Sequence, residues 1–265
     1  MLILLPPSET KRSGGTGTFV PDRLRNHDAL GAARASVRAA LEELSEDPVA
    51  SAKALKLGVK NGAEREHNLV LRESGVLPAI ERYTGVLYDA LDAPSLDVPA
   101  RAWLDSHVAV QSALFGLIGA GEEIPAYRLS AGSRLPGLGT PLKRVWGSAH
   151  AALPWAEAGL VLDLRSQDYA ALASVPGDRS WFLHVAQRGE DGAVRALNHF
   201  NKAAKGDFVR RLARSQADFT TVEDVVEWAR EAGLELSCSA DSHELTLITE
   251  LGAPGAVSAR SAAAR

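Results

Sequence analysis

The chain has 265 residues, of which 46% are hydrophobic and 23% charged, a balance typical of a soluble globular protein with a substantial core. Its formal net charge of -4 at pH 7 excludes a uniformly basic nucleic-acid-binding surface but leaves room for a local basic cleft. Cys238 is the only cysteine, which excludes an intrachain disulfide and a cluster of zinc-binding thiolates. We find no stretch long enough for a membrane span or a signal peptide and expect a cytoplasmic protein with no membrane contact.

The first predicted element is a short buried strand in "MLILLPPSETK". Its apolar run ends at two prolines, and the polar residues Ser8, Glu9 and Lys11 follow directly. In open α/β sheets, ligands bind in the crevice outside the carboxyl ends of the strands. These three side chains are therefore candidates for a ligand crevice, and a solvent-exposed turn is the alternative.

Helical periodicity follows the first strand. It predicts an amphipathic helix over residues 28–44, a short helical piece over 54–61, and helical spacing through 80–91 with an interruption near Thr84 and Gly85. Gly85 and Tyr88 either line a site or serve packing, because a buried tyrosine commonly needs only one partner for its hydroxyl.

Core strands and helices alternate in the remaining sequence. Strands are predicted within 107–120 and at 161–164, 180–187 and 244–250, and helices after the capping residue Ser166 and over 220–233. The alternation predicts a mixed α/β (α+β) fold, with a central mixed sheet and flanking helices in one domain over residues 1–252. We expect residues 253–265 to form a disordered tail.

The segment "LPGLGTPLKRVW" combines a glycine-rich turn with a helix start. Gly137 and Gly139 fit the turn, and Pro141 fits the first position of a helix, with Lys143 and Arg144 adding positive charge one turn later. The unpaired amides at such a helix start suit an anionic oxygen. The pattern is compatible with a phosphate-binding hairpin and also with an ordinary loop that leads into a helix.

The segment "HFNKAAKGDFVRRLARSQ" is the most basic part of the chain. In one continuous helix, Lys205 would lie on the apolar side with Lys202 close to it, whereas a break at Gly206 would leave both lysines ahead of a helix start. Either geometry favours an anion site, since a lysine on an apolar face needs an anionic or polar partner. The alternative is a structural ion pair with a buried carboxylate, Asp163 being the first candidate.

Five short motifs together resemble the YaaA family of peroxide stress proteins. They are "LLPPSETK", "YTGVLYDAL", "QSALFGLI" followed by "YRL", "VLDLRSQDY" and "HFNKAAKG", in the order seen in that family. The resemblance covers most of the chain and implies a cytoplasmic bacterial protein that limits oxidative damage and binds DNA through a basic cleft. It also implies a helix-hairpin-helix element, which we expect near residues 128–146.

The resemblance implies that individual residues of this chain correspond to family positions. Those that match family residues are Gly85, Tyr88, Ser166, Tyr169, Lys202 and Lys205. The chain departs from the family pattern at Ser130, where the family has an acidic residue, and at Gly119-Ala120, where it has Arg-Pro. Any role of those positions in the family is therefore in doubt here.

Two functions fit these residues. The first is a stress protein that grips DNA phosphates, with DNA or anion contacts from Lys11, Arg128, Gly137, Gly139, Lys143, Arg144, Lys202 and Lys205 and a cleft lined by Ser8, Gly85, Tyr88 and Tyr127. The second is an enzyme that holds a phosphorylated or nucleotide-like small molecule in the same cleft, with Glu9, Ser166 and Tyr169 as candidate catalytic residues.

No cofactor or metal is predicted. The sequence contains no nucleophile elbow, P-loop or HExxH motif. Asp241 and His243 in "ADSHE" would alternate onto one side of a strand, but two ligands do not make a metal site. The sequence makes no prediction of the oligomeric state.

Overall fold

The computed structural model describes residues 1–59, 61–188, 194–196 and 201–249. The strands are β1 (Leu2–Leu5), β2 (Leu77–Pro78), β3 (Val108–Ser112), β4 (Gly116–Gly119), β5 (Glu123–Ile124), β6 (Val161–Asp163), β7 (Ser180–Arg188), β8 (Val194–Ala196), β9 (Glu235–Ser239) and β10 (Glu244–Thr249). The helices are α1 (His27–Glu46), α2 (Pro48–Ala54), α3 (Arg65–Leu69), α4 (Ala79–Arg82), α5 (Val86–Leu91), α6 (Val98–His107), α7 (Leu142–His150), α8 (Gln167–Leu172), α9 (Asn201–Ser215) and α10 (Val222–Glu231). The tail expected at 253–265 lies outside the described residues.

The main sheet is mixed, with the strand order β4-β3-β1-β6-β7-β10-β9 and with β8 paired to β7. The strands β3, β1, β6, β7 and β10 run parallel, and β4 and β9 are antiparallel at the two edges. In the register, Ile3 lies opposite both Val108 of β3 and Leu162 of β6. The predicted mixed α/β fold is confirmed, and β1 lies inside the sheet as predicted.

Both faces of β1 are buried, which explains its continuous apolar run. Ile3 and Leu5 belong to the larger hydrophobic cluster, and Leu4 points to the opposite face, where it packs with Leu30 and Trp155. All three β1 side chains are fully buried. A strand covered by helices and loops on both faces has no exposed side for polar residues to occupy.

The position of β1 creates a crevice in the fold. Its two neighbours, β3 and β6, follow it later in the chain and lie on opposite sides of it. The carboxyl ends of parallel strands on either side of such a switch in strand order diverge into loops that leave an opening between them. The loops after β1 and β6 therefore border an opening at the position where a ligand crevice is predicted.

The helix α9 is continuous through Gly206, so the first of the two predicted geometries for this segment is correct. A Cβ at Gly206 would overlap the carbonyl oxygen of Leu87 and contact Ala90 at 3.0 Å. Glycine is required here because α9 and α5 approach each other backbone to backbone.

Two predicted elements differ in the structure. The helix α2 ends at Ala54, and Lys56 takes a left-handed φ of 55°, so the helix predicted over 54–61 is wrong. Between β5 and α7 the described chain has only a short 3-10 turn at Pro136–Leu138, so residues 128–146 lack the first helix of a helix-hairpin-helix element. A single turn of three residues cannot supply it, because the proline and two glycines of "LPGLG" do not sustain a helix.

Within the described residues, none of the helices combines the length and apolar character required to cross a membrane.

Candidate functional site

A cleft of about 790 Å³ opens at the carboxyl ends of β1 and β6. Its walls come from the loop after β1, the start of α5, the segment at 128–132, the first turns of α8 and α9, and the segment that follows α2. Of the predicted site residues, the cleft brings together Ser8, Glu9, Gly85, Tyr88, Arg128, Ser166, Tyr169 and Lys202. Those that do not line it are Lys11, Tyr127, Gly137, Gly139, Lys143, Arg144 and Lys205.

Lys11 holds the loop after β1 in place from behind the cleft. Its ammonium group donates to the carbonyl oxygens of Ser8 at 2.9 Å and Glu9 at 3.2 Å, and lies 4.1 Å from the centroid of the Tyr127 ring. Burial, with a smaller contribution from the positive charge of Arg128, lowers the pKa of Lys11 to about 7. The Lys11 ammonium group thus fixes the backbone of the cleft wall at Ser8 and Glu9.

Tyr127 supports the same wall and is itself 1% exposed. Its hydroxyl forms hydrogen bonds with the hydroxyls of Ser112 at 2.8 Å and Tyr83 at 2.9 Å. Burial raises the pKa of Tyr127 well above its ordinary value. The residue predicted to line the cleft therefore acts as its backing layer.

Arg128 lies on the cleft with its charge already balanced. Its guanidinium group donates to Glu64 Oε2 at 2.9 Å and to Glu9 Oε2 at 3.2 Å, and the side chain is only 6% exposed. Two carboxylates around one buried guanidinium leave little net positive charge for a ligand. Glu9 is 70% exposed and carries this network to the cleft surface.

The two lysines of α9 have different environments. Lys205 is 5% exposed and donates to the carbonyl oxygens of Leu164 at 3.0 Å and Arg165 at 3.5 Å. Burial lowers the pKa of Lys205 to about 8, while Asp163 pairs with Arg165 at 2.6 Å. Lys205 is thus a structural cation at the end of β6, bonded to backbone carbonyls and not to the suspected carboxylate.

Lys202 lies one turn before Lys205 on α9, and it is exposed on the cleft. It forms no ion pair or hydrogen bond with the residues that the structure describes. Ser166, the residue before α8, also lines the cleft, and its hydroxyl makes no capping hydrogen bond to that helix. An unpaired ammonium group and a hydroxyl without a capping role are thus both available on the cleft wall, a combination that suits a phosphate oxygen.

Hydroxyl groups cover the wall beside β1. Thr10 Oγ1 forms hydrogen bonds with Ser8 Oγ at 3.2 Å and Thr84 Oγ1 at 3.0 Å. Gly85 follows with a φ of 96°, a conformation that other residues rarely adopt, and an added Cβ would stand 3.7 Å from Ser8 Oγ. This wall can form hydrogen bonds with the hydroxyl groups of a ligand, because each protein hydroxyl can both donate and accept a hydrogen bond.

Several cleft residues were not predicted from the sequence. They include the polar or charged residues Thr10, Thr84, Asp168, Lys56 and Asn61. Asp168 and the two threonines are direct chain neighbours of predicted positions, and that proximity was the available signal. Lys56 and Asn61 carry no such signal, because their place on the cleft depends on how α2 packs.

The turn at Gly137 and Gly139 lies against α1. A Cβ at Gly137 would stand 2.8 Å from Glu43 Oε2 and 3.4 Å from Ala40 Cβ, whereas Gly139 has a φ of 62° and open space around it. Lys143 and Arg144 are exposed in the first turn of α7. None of the candidate anion-binding residues at this turn and at the start of α7 lines the cleft.

The structure also places the histidine-containing segment at 241–244. His243 has a left-handed φ of 52° in a turn, and β10 begins only at Glu244, so the predicted alternation of Asp241 and His243 along a strand is wrong. Glu244 instead interacts with His184 at 3.1 Å. Among the described residues, no group of three His, Cys, Asp or Glu side chains could hold a metal ion.

Comparison with known proteins agrees with the motifs on the cleft. A family model described as "Peroxide stress protein YaaA" matches residues 1–239. The chain belongs to the peroxide stress protein YaaA family. The resemblance to this family is therefore confirmed, and membership supports a role in peroxide stress.

Curated members of the YaaA family resemble the chain over nearly its whole length. A UPF0246 protein of Corynebacterium glutamicum (strain R) is 40% identical over 252 residues, covering 94% of this chain and 100% of that protein. A UPF0246 protein of Streptomyces coelicolor is 38% identical over 244 residues, covering 91% of this chain and 93% of that protein. Both alignments cover more than nine-tenths of this chain.

Proposed function

We propose that this YaaA family protein acts in the peroxide stress response by binding the phosphate group of a nucleotide unit in the cleft. The observation that carries the proposal is Lys202, a cation on the cleft wall that no described residue pairs with. Arg128 cannot take this role, because Glu9 and Glu64 already balance its charge. The phosphate therefore binds at Lys202, with Ser166 as a hydroxyl donor.

The size and chemistry of the cleft support a nucleotide unit. A volume of about 790 Å³ lies within the range of about 300–1,000 Å³ that small-molecule sites have. The hydroxyls of Ser8, Thr10 and Thr84 suit the oxygens of a sugar. Val86, which is exposed, offers apolar surface for a base on the same cleft.

Binding is better supported than catalysis. Glu9 is held by Arg128, and the Ser166 hydroxyl has no hydrogen-bonded base among the described residues that would activate it. Burial raises the pKa of Tyr169, so its phenol keeps its proton near neutral pH and is unsuited to act as a base. We propose that these three residues orient the ligand and that the protein acts in the cytoplasm.

Affinity for deoxythymidine 5′-monophosphate tests the proposal. We expect Lys202→Ala to weaken binding at least about tenfold, since a charge-assisted hydrogen bond contributes roughly 1.5–3 kcal/mol. Lys53→Ala removes an exposed lysine of α2 outside the cleft and should leave affinity unchanged. Equal affinity of Lys202→Ala and the wild type would overturn the proposal.

DNA is a second candidate ligand, and the exposed Lys143 and Arg144 of α7 favour it. In this proposal the cleft binds one nucleotide unit of a strand while these two side chains contact neighbouring phosphates. Duplex and single-stranded oligonucleotides should then lose affinity in Lys143→Ala and Arg144→Ala, with a salt slope lower by about one per substitution. Free nucleotide binding with no DNA binding would restrict the protein to the small ligand.

A further inference from the structure

Lys56 has a backbone conformation that does not suit its side chain. It follows α2 with a φ of 55°, and the amide of Leu57 donates to the carbonyl oxygen of Ala52 at 2.8 Å. This hydrogen bond closes the common helix ending in which the left-handed residue is usually glycine. A lysine there makes the turn less stable than glycine would, since its Cβ crowds the backbone.

The side chain of Lys56 lies on the cleft. It is exposed and lines the same cleft as Lys202, and a Cβ built on Gly132 would stand 4.0 Å from its Nζ atom. No described residue forms an ion pair with it. Asn61, on the same wall, accepts a hydrogen bond from the Gly58 amide at 2.6 Å, which orders the loop that follows Lys56.

Other left-handed residues show how unusual this position is. Asn26, Asp92 and His243 are of the three residue types that are enriched in this conformation. Gln216, at the end of α9, is the other long side chain, and it lies away from the cleft. Strained positions at a ligand site point to a role for the side chain that occupies them.

We propose that Lys56 forms a second anion subsite in the cleft, so that the ligand carries two anionic groups. Lys56 reaches the cleft from the segment after α2, and Lys202 reaches it from α9. Among the described residues, Arg128 supplies the only guanidinium on the cleft, and Glu9 and Glu64 balance its charge. Two like charges without internal partners are best balanced by two anionic groups. This subsite rests on the proposed phosphate site at Lys202 and extends it to a nucleotide with two phosphates.

Thymidine 3′,5′-bisphosphate and deoxythymidine 5′-monophosphate are the probes that test the subsite. Lys56→Gly should weaken binding of the bisphosphate at least about tenfold and change binding of the monophosphate less than twofold. Its melting temperature should rise, because glycine relieves the left-handed backbone. Lys56→Arg, which keeps the charge, should retain the affinity for both probes.

Gln216→Gly is the matched control. It relieves the same backbone conformation at a helix end outside the cleft, so its melting temperature should rise while both affinities stay at the wild-type value. Lys56→Asn removes the charge with a residue that tolerates left-handed φ, and it should repeat the selective loss of bisphosphate affinity.

The outcomes separate the subsite from the phosphate site. Wild-type affinity for the bisphosphate in both Lys56→Gly and Lys56→Asn would overturn the second subsite. An equal loss of affinity for the two probes would also overturn it, because Lys56 would then contact the same phosphate as Lys202. Loss of affinity in Lys202→Ala alongside either result would leave the proposed function standing. Unchanged monophosphate affinity in Lys202→Ala would instead overturn the proposed function itself.

Discussion

The cleft and the Gly137–Gly139 turn share local features but differ in their surroundings. Each combines glycine, nearby cations and a helix start, yet only the cleft gathers loops from distant parts of the chain around an unpaired lysine. The turn packs Gly137 against α1 and leaves Gly139 in open space. The comparison teaches that a local glycine motif indicates backbone geometry, whereas an anion site also needs an enclosed cleft in which the fold places an unpaired cation beside polar side chains from distant segments.

The same contrast exists within one helix. Lys202 and Lys205 are three residues apart on α9, and only Lys205 is buried, with its ammonium group bonded to the carbonyl oxygen of Leu164. Because Lys205 is held by the end of β6, α9 is fixed where Lys202 reaches the cleft. One lysine positions the wall, and the other is available to the ligand.

Replacing Gly206 gives the largest expected effect. In Gly206→Val, the new side chain would overlap the Leu87 carbonyl and force α5 away from α9, which we expect to destabilise the fold by about 3 kcal/mol or more. Gly139→Ala should cost only about 1–2 kcal/mol, from its left-handed φ in open space. Urea unfolding of both variants measures the difference, and equal losses would contradict the close approach of α5 and α9.

The next largest effect on stability is expected from Lys205, and the neighbouring Lys202 should contribute little. Lys205→Ala leaves a cavity and an unpaired carbonyl, so we expect a loss of roughly 2–3 kcal/mol in the free energy of unfolding. Lys202→Ala should stay within about 0.5 kcal/mol of the wild type, since the side chain is exposed and unpaired. Chemical denaturation gives both values, and a large loss for Lys202→Ala would make that lysine structural.

The lowered pKa of Lys11 should make the stability of the fold depend on pH. Its folded pKa of about 7 lies below the ordinary value of 10.5, so the unfolded chain binds more protons between those values and stability rises with pH through that window. We expect this rise to amount to roughly 1–2 kcal/mol, allowing for partial exposure of the side chain. Lys11→Met should show a smaller rise between pH 7 and pH 10 in denaturation experiments, and an unchanged slope would contradict the buried ammonium group.

Gly137→Ala should have only a small effect on stability and none on ligand binding. The added Cβ meets the carboxylate of Glu43, the far end of a flexible side chain that can swing towards solvent, so we expect a change of less than about 1 kcal/mol. Affinity for deoxythymidine 5′-monophosphate should be unchanged. A clear loss of nucleotide affinity in a folded Gly137→Ala variant would show that the turn takes part in ligand binding.

Much of the fold was predictable because its signals are local. The apolar runs of β1 and β6, the α9 periodicity and the interruption at Gly85 each depend on adjacent residues. The strand-end rule then placed Ser8 and Glu9 on the cleft, whereas Lys11, predicted by the same rule, lies behind it.

What the sequence could not show depends on contacts between distant residues. Arg128 lies 64 residues from Glu64 and 119 from Glu9, and no periodicity reveals that these two carboxylates balance its charge. The helix expected before Gly137 was inferred from the family resemblance alone, and the described chain has no α-helix between β5 and the turn. Lys56 reaches the cleft because α2 ends at Ala54, where the predicted helical piece begins, and the chain turns at Lys56 with a left-handed φ.

The central claim is that the ligand binds in the cleft and not at the turn, and backbone amide chemical shifts test it most directly. In a ¹⁵N-labelled protein titrated with deoxythymidine 5′-monophosphate, we predict saturable shifts at Gly85, Ser166 and Lys202 and none at Gly137 or Gly139. Saturable shifts at the two turn glycines, with the three cleft amides unmoved, would contradict the account.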